Sequence, residues 1–326
     1  MKNDSMVLID AYSQIFRSFY AIRMLTNSRN EPVNAAFVFT KLLLQLEKNH
    51  PSKYGAMLFD CGKVAFRLEL NPEYKANRPP MPDQLKQQIP LIRRIAEAFG
   101  WKLMQCEGFE ADDLIGGLAG KYSDKQVEIV SSDKDLSQLI DDRVTMLIPA
   151  SGGFERRGKA EVEEKFGVTP EQMVDYLALI GDSSDNIPGV PGIGPKSAVD
   201  ILKTFGPAEK WLNNPAIIDP AHKSGKKLLP ELETVRRNRE LIRLRTTLPD
   251  SAAAVEPPLR GEPDWRTIAE ICRDNQFKSI LKELPELPCE PVAAEEFTDD
   301  LFAFAAAQKT VVEEKKAVVE IQDELF

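Results

Sequence analysis

The chain has 326 residues, a length that predicts about two domains, and its 43% hydrophobic and 29% charged residues make an ordinary globular composition able to bury a core. Forty-two Lys and Arg against 51 Asp and Glu give a net charge of −9, which at face value argues against a phosphate-binding surface. No run approaches the ~20 apolar residues of a membrane helix, and the N-terminal apolar stretch Met6–Ile9 is too short for a secretory signal.

In chain order, strands are predicted at Met6–Ile9, Ala56–Phe59, Lys102–Gln105, Val127–Val130 and Val144–Ile148. A first helix follows Asp10, and further helical patterns lie between the strands at Val33–Lys48, Pro82–Phe99, Ala111–Lys121 and Lys134–Ile140. This alternation predicts an α/β domain with a mostly parallel sheet over residues 1–167. Strands are expected to stop near residue 165. An all-helical domain should fill 168–286, with helices at Pro170–Ile180, Lys196–Phe205, Lys223–Leu244 and Asp264–Leu281. Pro285, Pro288 and Pro291 open an acidic, Ala-rich stretch, read as a disordered tail over 287–326.

The cysteines Cys61, Cys106, Cys272 and Cys289 form no CxxC pair, which predicts reduced thiols in a cytoplasmic protein. His50 and His222 are the two histidines, so a His-rich metal centre is excluded and any metal must be held by oxygen. The acids supply that oxygen. Three predicted strands run up to an aspartate: Asp10, Asp60 and Asp133. In an open parallel sheet the carboxyl ends of the strands line one crevice. A single Asp there would be read as a helix N-cap, but three on one edge favour a site. Glu110, Asp112 and Asp113 open the helix after the third strand, Asp135 follows Asp133, and Asp182 and Asp185 follow a helix of the second half. Nine carboxylates around one crevice repel unless cations compensate them. Two divalent ions about 4 Å apart would do so, clamping the attacking and leaving oxygens of a phosphodiester.

A second constellation points to nucleic acid. Residues 187–201 read IPGVPGIGPKSAVDI, where Gly189, Gly192 and Gly194 followed by a helix carrying Lys196 fit a helix-hairpin-helix turn. A P-loop is excluded because Gly194-Pro195-Lys196-Ser197 breaks the Gly-Lys-Ser/Thr order and no strand precedes it. Tyr74, Lys75 and Arg78, with Lys86, Arg93 and Arg94 beyond, suit stacking and phosphate contact on a single strand. Lys223–Arg245 holds eight Lys/Arg against three acids, read equally as a DNA contact or a solvated face. Arg17, seven residues after Asp10, is expected to reach a phosphate at the metals.

The stretches VLIDAYSQIFRSFYA, LFDCGKVAFR, YKANRPPMP, EGFEADDLIG, VSSDKDLSQLI and YLALIGDSSDNIPGVPGIGPKSA together resemble the 5′-nuclease family, as in the N-terminal 5′→3′ exonuclease domain of bacterial DNA polymerase I, over roughly residues 6–285. The resemblance implies a PIN/5′-nuclease-like fold with a helical arch, followed by the helix-hairpin-helix domain. It implies two Mg²⁺ ions, or Mn²⁺, on Asp10, Asp60, Glu110, Asp112, Asp113, Asp133, Asp135, Asp182 and Asp185. Arg17, Lys75 and Arg78 would be the catalytic cations, the latter two at the base of the arch. Tyr74, Gly189, Gly192, Gly194 and Lys196 would contact DNA, with K⁺ on the hairpin carbonyls. Ala11 departs from the family's usual Gly.

The expected activity is a structure-specific 5′→3′ exonuclease and 5′-flap endonuclease, acting on flaps, nicks and RNA primers beside a separate DNA polymerase. The expected state is a free-standing, cytoplasmic, nucleoid-associated monomer with no membrane association. Gln322, Leu325 and Phe326 resemble a sliding-clamp docking peptide. The alternatives are a catalytically silent DNA-junction binder, which the full set of acids disfavours, and a PIN-type ribonuclease, which would lack the hairpin. A haloacid-dehalogenase phosphatase is disfavoured because Tyr12, not Asp, stands two residues after Asp10.

The net charge then reads differently. Residues 290–326 carry ten acids against three lysines, and nine more acids belong to the candidate metal site, so the remaining surface is basic.

Overall fold

A computed structural model describes residues 3–62, 64–248 and 256–286. Its sheet has six strands in the order β3-β2-β1-β4-β5-β6: β1 (Asn3–Asp10), β2 (Ser52–Phe59), β3 (Lys102–Gln105), β4 (Val127–Val130), β5 (Val144–Ala150) and β6 (Gly153–Arg157). The first five are parallel, and β6 pairs antiparallel with β5. The five expected strands are therefore present. The sixth was not anticipated, because GFERR sits at an edge and shows no buried apolar run.

Strand periodicity explains the layering. Successive side chains point to opposite faces. Met6 and Leu8 of β1, with Ala56 and Leu58 of β2, pack against Leu114, Ile115 and Leu118 of α6 (Ala111–Lys121). Val7, Ile9, Met57 and Phe59 face the other way, against Ile15 of α1 (Ala11–Ala21) and Phe39 and Leu43 of α2 (Asn34–Asn49). Both faces are covered, so the strands read as unbroken apolar runs.

Helices differ from expectation where proline intervenes. The span 82–99 is two helices, Asp83–Lys86 and Ile89–Ala98, because Pro90 has no N–H for a bond back to residue 86. The span 223–244 is broken by a 3₁₀ turn at Leu229–Glu231 around Pro230, and residues 135–139 are 3₁₀ rather than α. Beyond residue 165 strands do not stop altogether: Gly181–Asp182 pairs with Ile187–Pro188 as a two-stranded antiparallel hairpin.

The second half packs into the core of the first. Tyr176, Leu177, Trp211 and Val235 share one cluster with the α6 face of the sheet. Ile268, Ile271 and Phe277 join the opposite cluster beside Phe39. Residues up to Leu284 form one compact unit.

Candidate active site

The strand order reverses between β1 and β4, which both run parallel from the centre of the sheet. At such a switch point the carboxyl ends of the strands leave a crevice. Here it is a cleft of roughly 640 Å³, and Asp10, Asp60, Asp112 and Asp133 line it.

Each acid is placed by local structure. Asp10 caps α1, accepting from the Ser13 N–H at 3.2 Å and from the Ser131 hydroxyl at 2.9 Å. Asp60 accepts the Ala111 N–H at 2.8 Å, tying β2 to the start of α6. Asp112 lies in the first turn of α6. Asp133 accepts from the Asp135 N–H at 2.9 Å.

Burial, then the nearby charges of Asp60 and Asp133, push the Asp10 carboxyl up to about 7. Burial, then Asp10 and Asp133, hold Asp112 well above the usual carboxylate range. Burial also raises Asp133 and Asp135, with neighbouring aspartates adding to it. A second group follows directly. Asp135, Asp182 and Asp185 each offer an oxygen within 4.8 Å of the others, and Asp135 Oδ1 is buried without a hydrogen-bond donor.

The nine acids divide by their partners. Among the described residues no Lys, Arg or His forms an ion pair with Asp10, Asp60, Asp112, Asp133 or Asp135. The other four have protein cations. Asp182 meets Lys134 at 3.0 Å and accepts from Ser184; despite burial, these partners hold it below its ordinary range. Asp185 meets Arg78 at 2.6 Å. Glu110 meets Lys75 at 2.6 Å and Arg67 at 2.8 Å.

Asp113 corrects the expectation of a metal ligand. Both its oxygens are taken by Arg67, at 2.7 and 2.8 Å, and it is buried outside the cleft lining. Arg67 itself is 1% exposed and was not anticipated. In sequence it is one basic residue of LFDCGKVAFR, and only the fold shows that it faces two carboxylates.

The cationic segment also departs from expectation in part. Lys75 and Arg78 line the cleft. Residues 71–82 form turns bonded to the 183–186 loop: the Lys75 N–H donates to the Asp185 carbonyl at 3.0 Å and Asn77 Nδ2 to the Ser183 carbonyl at 2.7 Å. Tyr74 is a correction. Rather than an exposed stacking platform it is buried, and its hydroxyl donates to the carboxylates of Glu110 and Asp185, each at 3.0 Å. Arg17 is another, since its guanidinium donates to the Pro149 carbonyl at the end of β5 and it is not among the cleft-lining residues.

The hairpin lies where its glycines predict. Gly192 adopts φ +74°, Lys227 Nζ donates to its carbonyl at 2.7 Å, and Gly194 caps α9 (Pro195–Phe205) with Lys196 exposed in its first turn. Of the basic run 223–245, Arg239 is spent on Asp175 at 2.7 Å and Arg236 on the Leu212 carbonyl at 3.1 Å. Gln322, Leu325 and Phe326 lie outside the described residues.

Carboxylates gathered at the switch point of a parallel sheet, with a glycine hairpin in the helical half, define a class: α/β nucleases with an acid-lined cleft. Two family models match the chain, the N-terminal resolvase-like domain of 5′-3′ exonucleases over residues 5–167 and the C-terminal SAM fold of the same enzymes over 168–261. The chain belongs to the 5′-3′ exonuclease family, a placement that does not favour the PIN-type ribonuclease or the silent binder.

A 5′-3′ exonuclease of Aquifex aeolicus is 36% identical over 285 residues, covering 87% of this chain and 96% of that protein. DNA polymerase I of Bacillus subtilis is 37% identical over 290 residues, and the chain spans about a third (32%) of its length. The fold is also that of the bacteriophage T5 flap endonuclease, solved in a complex with DNA and metal ions, with a TM-score of 0.62 at 23% identity over 86% of this chain and 98% of that one. The catalytic core of Rad2 with DNA substrate matches with a TM-score of 0.59 at 15% identity, over 87% and 92%.

Proposed function

We propose that the protein is a structure-specific 5′→3′ exonuclease and 5′-flap endonuclease that uses two divalent cations, Mg²⁺ or Mn²⁺, to hydrolyse phosphodiesters in RNA-primer removal and repair. The observation that carries this reading is the set of five clustered carboxylates that form no ion pair with a protein cation among the described residues. Several kcal/mol of repulsion and desolvation is tolerated only where a ligand relieves it. Hard oxygen donors without His or Cys suit Mg²⁺.

Asp10, Asp60, Asp112 and Asp133 would hold one ion, and Asp135, Asp182 and Asp185 a second. Bound there, divalent cations supply an activated water and stabilise the leaving oxygen. The chain's own residues do the rest. Lys75 and Arg78, paired with Glu110 and Asp185 in the DNA-free state, can turn to the substrate phosphate and orient it. Lys196 and the N–H groups that open α9 would hold the duplex backbone without reading sequence. A K⁺ ion on the hairpin carbonyls would compete with Lys227 for Gly192.

Asp112→Asn or Asp10→Asn should abolish cleavage of a 5′-flap substrate in Mg²⁺ while duplex binding in a gel-shift assay survives. Full cleavage by either variant would refute the assignment.

No helix among the described residues is long and apolar enough to cross a membrane. The Gln322, Leu325 and Phe326 peptide would dock the protein on a sliding clamp. Deleting residues 322–326 should remove clamp capture in a pull-down and leave flap cleavage intact; unchanged capture would refute the docking role.

A further inference from the structure

One group of side chains in the cleft is left unused by the reading above. Lys165 and Phe166, at the end of α7 (Lys159–Phe166), line the cleft together with Lys75 and Arg78. Lys165 is exposed, and among the described residues no carboxylate forms an ion pair with it. Its ammonium lies 5.6 Å from the centre of the Phe166 ring. A second cation flanks the same ring: the Arg157 guanidinium of β6 is 5.8 Å from its centre. Arg157 is 7% exposed, its Nη1 is buried without an acceptor, and no ion pair joins it to an acid among the described residues.

The charge of Glu155, two residues before Arg157 on β6, reaches both cations, but among the described residues it forms an ion pair with neither. A guanidinium as buried as that of Arg157 is ordinarily paired. Burial, then the charge of Arg157, lower the basicity of Lys165, with Glu155 partly opposing them. The four basic residues of the cleft lining then differ in kind. Lys75, Arg78 and Lys134 are held by Glu110, Asp185 and Asp182. Lys165 is free for a ligand.

We propose that Lys165, reinforced by the unpaired charge of Arg157 behind the Phe166 ring, is a substrate-binding residue that contacts a backbone phosphate flanking the one at the carboxylates. Phe166, whose ring both cations approach, lines the cleft beside Lys165. This rests on the reading of the cleft as a nuclease site.

The test is a titration of a 5′-flap duplex in Ca²⁺ at several salt concentrations, with wild type, Lys165→Ala and Lys165→Arg. Lys165 is exposed, so neither variant should disturb folding. Lys165→Ala should weaken binding roughly 3- to 10-fold, and the slope of log affinity against log salt should fall by about 0.7–0.9, the release of one phosphate contact. Lys165→Arg should keep both near wild type. Unchanged affinity and slope in Lys165→Ala would overturn the phosphate contact. Failure of wild type to bind or cleave flap DNA would instead overturn the nuclease reading, so the two outcomes stay separate.

Discussion

Arg67 is the residue on which the buried side of the site depends. Its three guanidinium nitrogens donate to Glu110, Asp113 and the Leu241 carbonyl, at 2.7 to 3.0 Å. Burial alone would disfavour its charge, but the carboxylates of Asp113 and Glu110 outweigh burial and raise its basicity. One cation thereby orients Glu110, which in turn holds Lys75 at the cleft, and ties its own short helix, Ala65–Leu70, to the end of α12 (Leu232–Ile242). Removing it leaves Asp113 buried with the Arg245 N–H, at 2.9 Å, as its principal remaining donor. Breaking a buried pair from one side costs about 3–5 kcal/mol. Arg67→Met should therefore lower unfolding stability in urea by that amount, and adding Asp113→Asn should recover part of it. A loss below about 1 kcal/mol, or no recovery, would show that the pair is not what anchors this region.

At the scale of elements, the hairpin that carries Asp182 and Asp185 is set by two glycines. Gly181 ends α8 (Met173–Ile180) at φ +77°, and a Cβ there would sit 2.3 Å from the Gly189 nitrogen. A Cβ on Gly189 would sit 2.3 Å from the Ile180 carbonyl carbon. The strained φ and the clash together should cost Gly181→Ala about 2 kcal/mol or more. The same change displaces Asp182, so flap cleavage should fall with stability. Gly194, with open space around it, is the control: Gly194→Ala should unfold within about 1 kcal/mol of wild type. Equal stability of the two variants in urea would contradict the crossing geometry. The elements were legible in sequence to the extent that burial is two-sided. The strands through Met6–Ile9 and Ala56–Phe59 are apolar on both faces and stood out, while edge strand β6 did not. The acids were legible because strand ends place Asp10, Asp60 and Asp133 together whatever the loops do. The pairing of Asp113 with Arg67 and of Tyr74 with Glu110 was not, because residues 36 to 46 apart meet only when the helices pack.

For the molecule as a whole, repelling acids gather at one end of the sheet, and under the proposed two-cation function stability should depend jointly on pH and metal. Asp10 is raised from 3.8 to about 7, and Asp112, Asp133 and Asp135 are raised with it, by burial first and by neighbouring acids second. Between the unfolded value and the folded one, the folded protein holds protons that the unfolded chain has released. The contribution of Asp10 to the stability of the metal-free protein therefore falls as pH rises from about 4 to about 7, by on the order of a few kcal/mol, and the other three raised acids act in the same direction. A divalent cation binds the ionised carboxylates, so its stabilisation must be largest where they have lost their protons. The gain in Tm on adding saturating Mg²⁺ or Mn²⁺ should thus be greater at pH 8 than at pH 5. Asp112→Asn removes one repelling charge and should raise Tm of the metal-free protein at pH 8, with little effect at pH 5, while reducing the gain from metal. Differential scanning fluorimetry in EDTA and in Mg²⁺ across this range measures all three. A gain independent of pH, or a metal-free Asp112→Asn less stable than wild type at pH 8, would mean that the acids are not held as mutually repelling charges awaiting a cation.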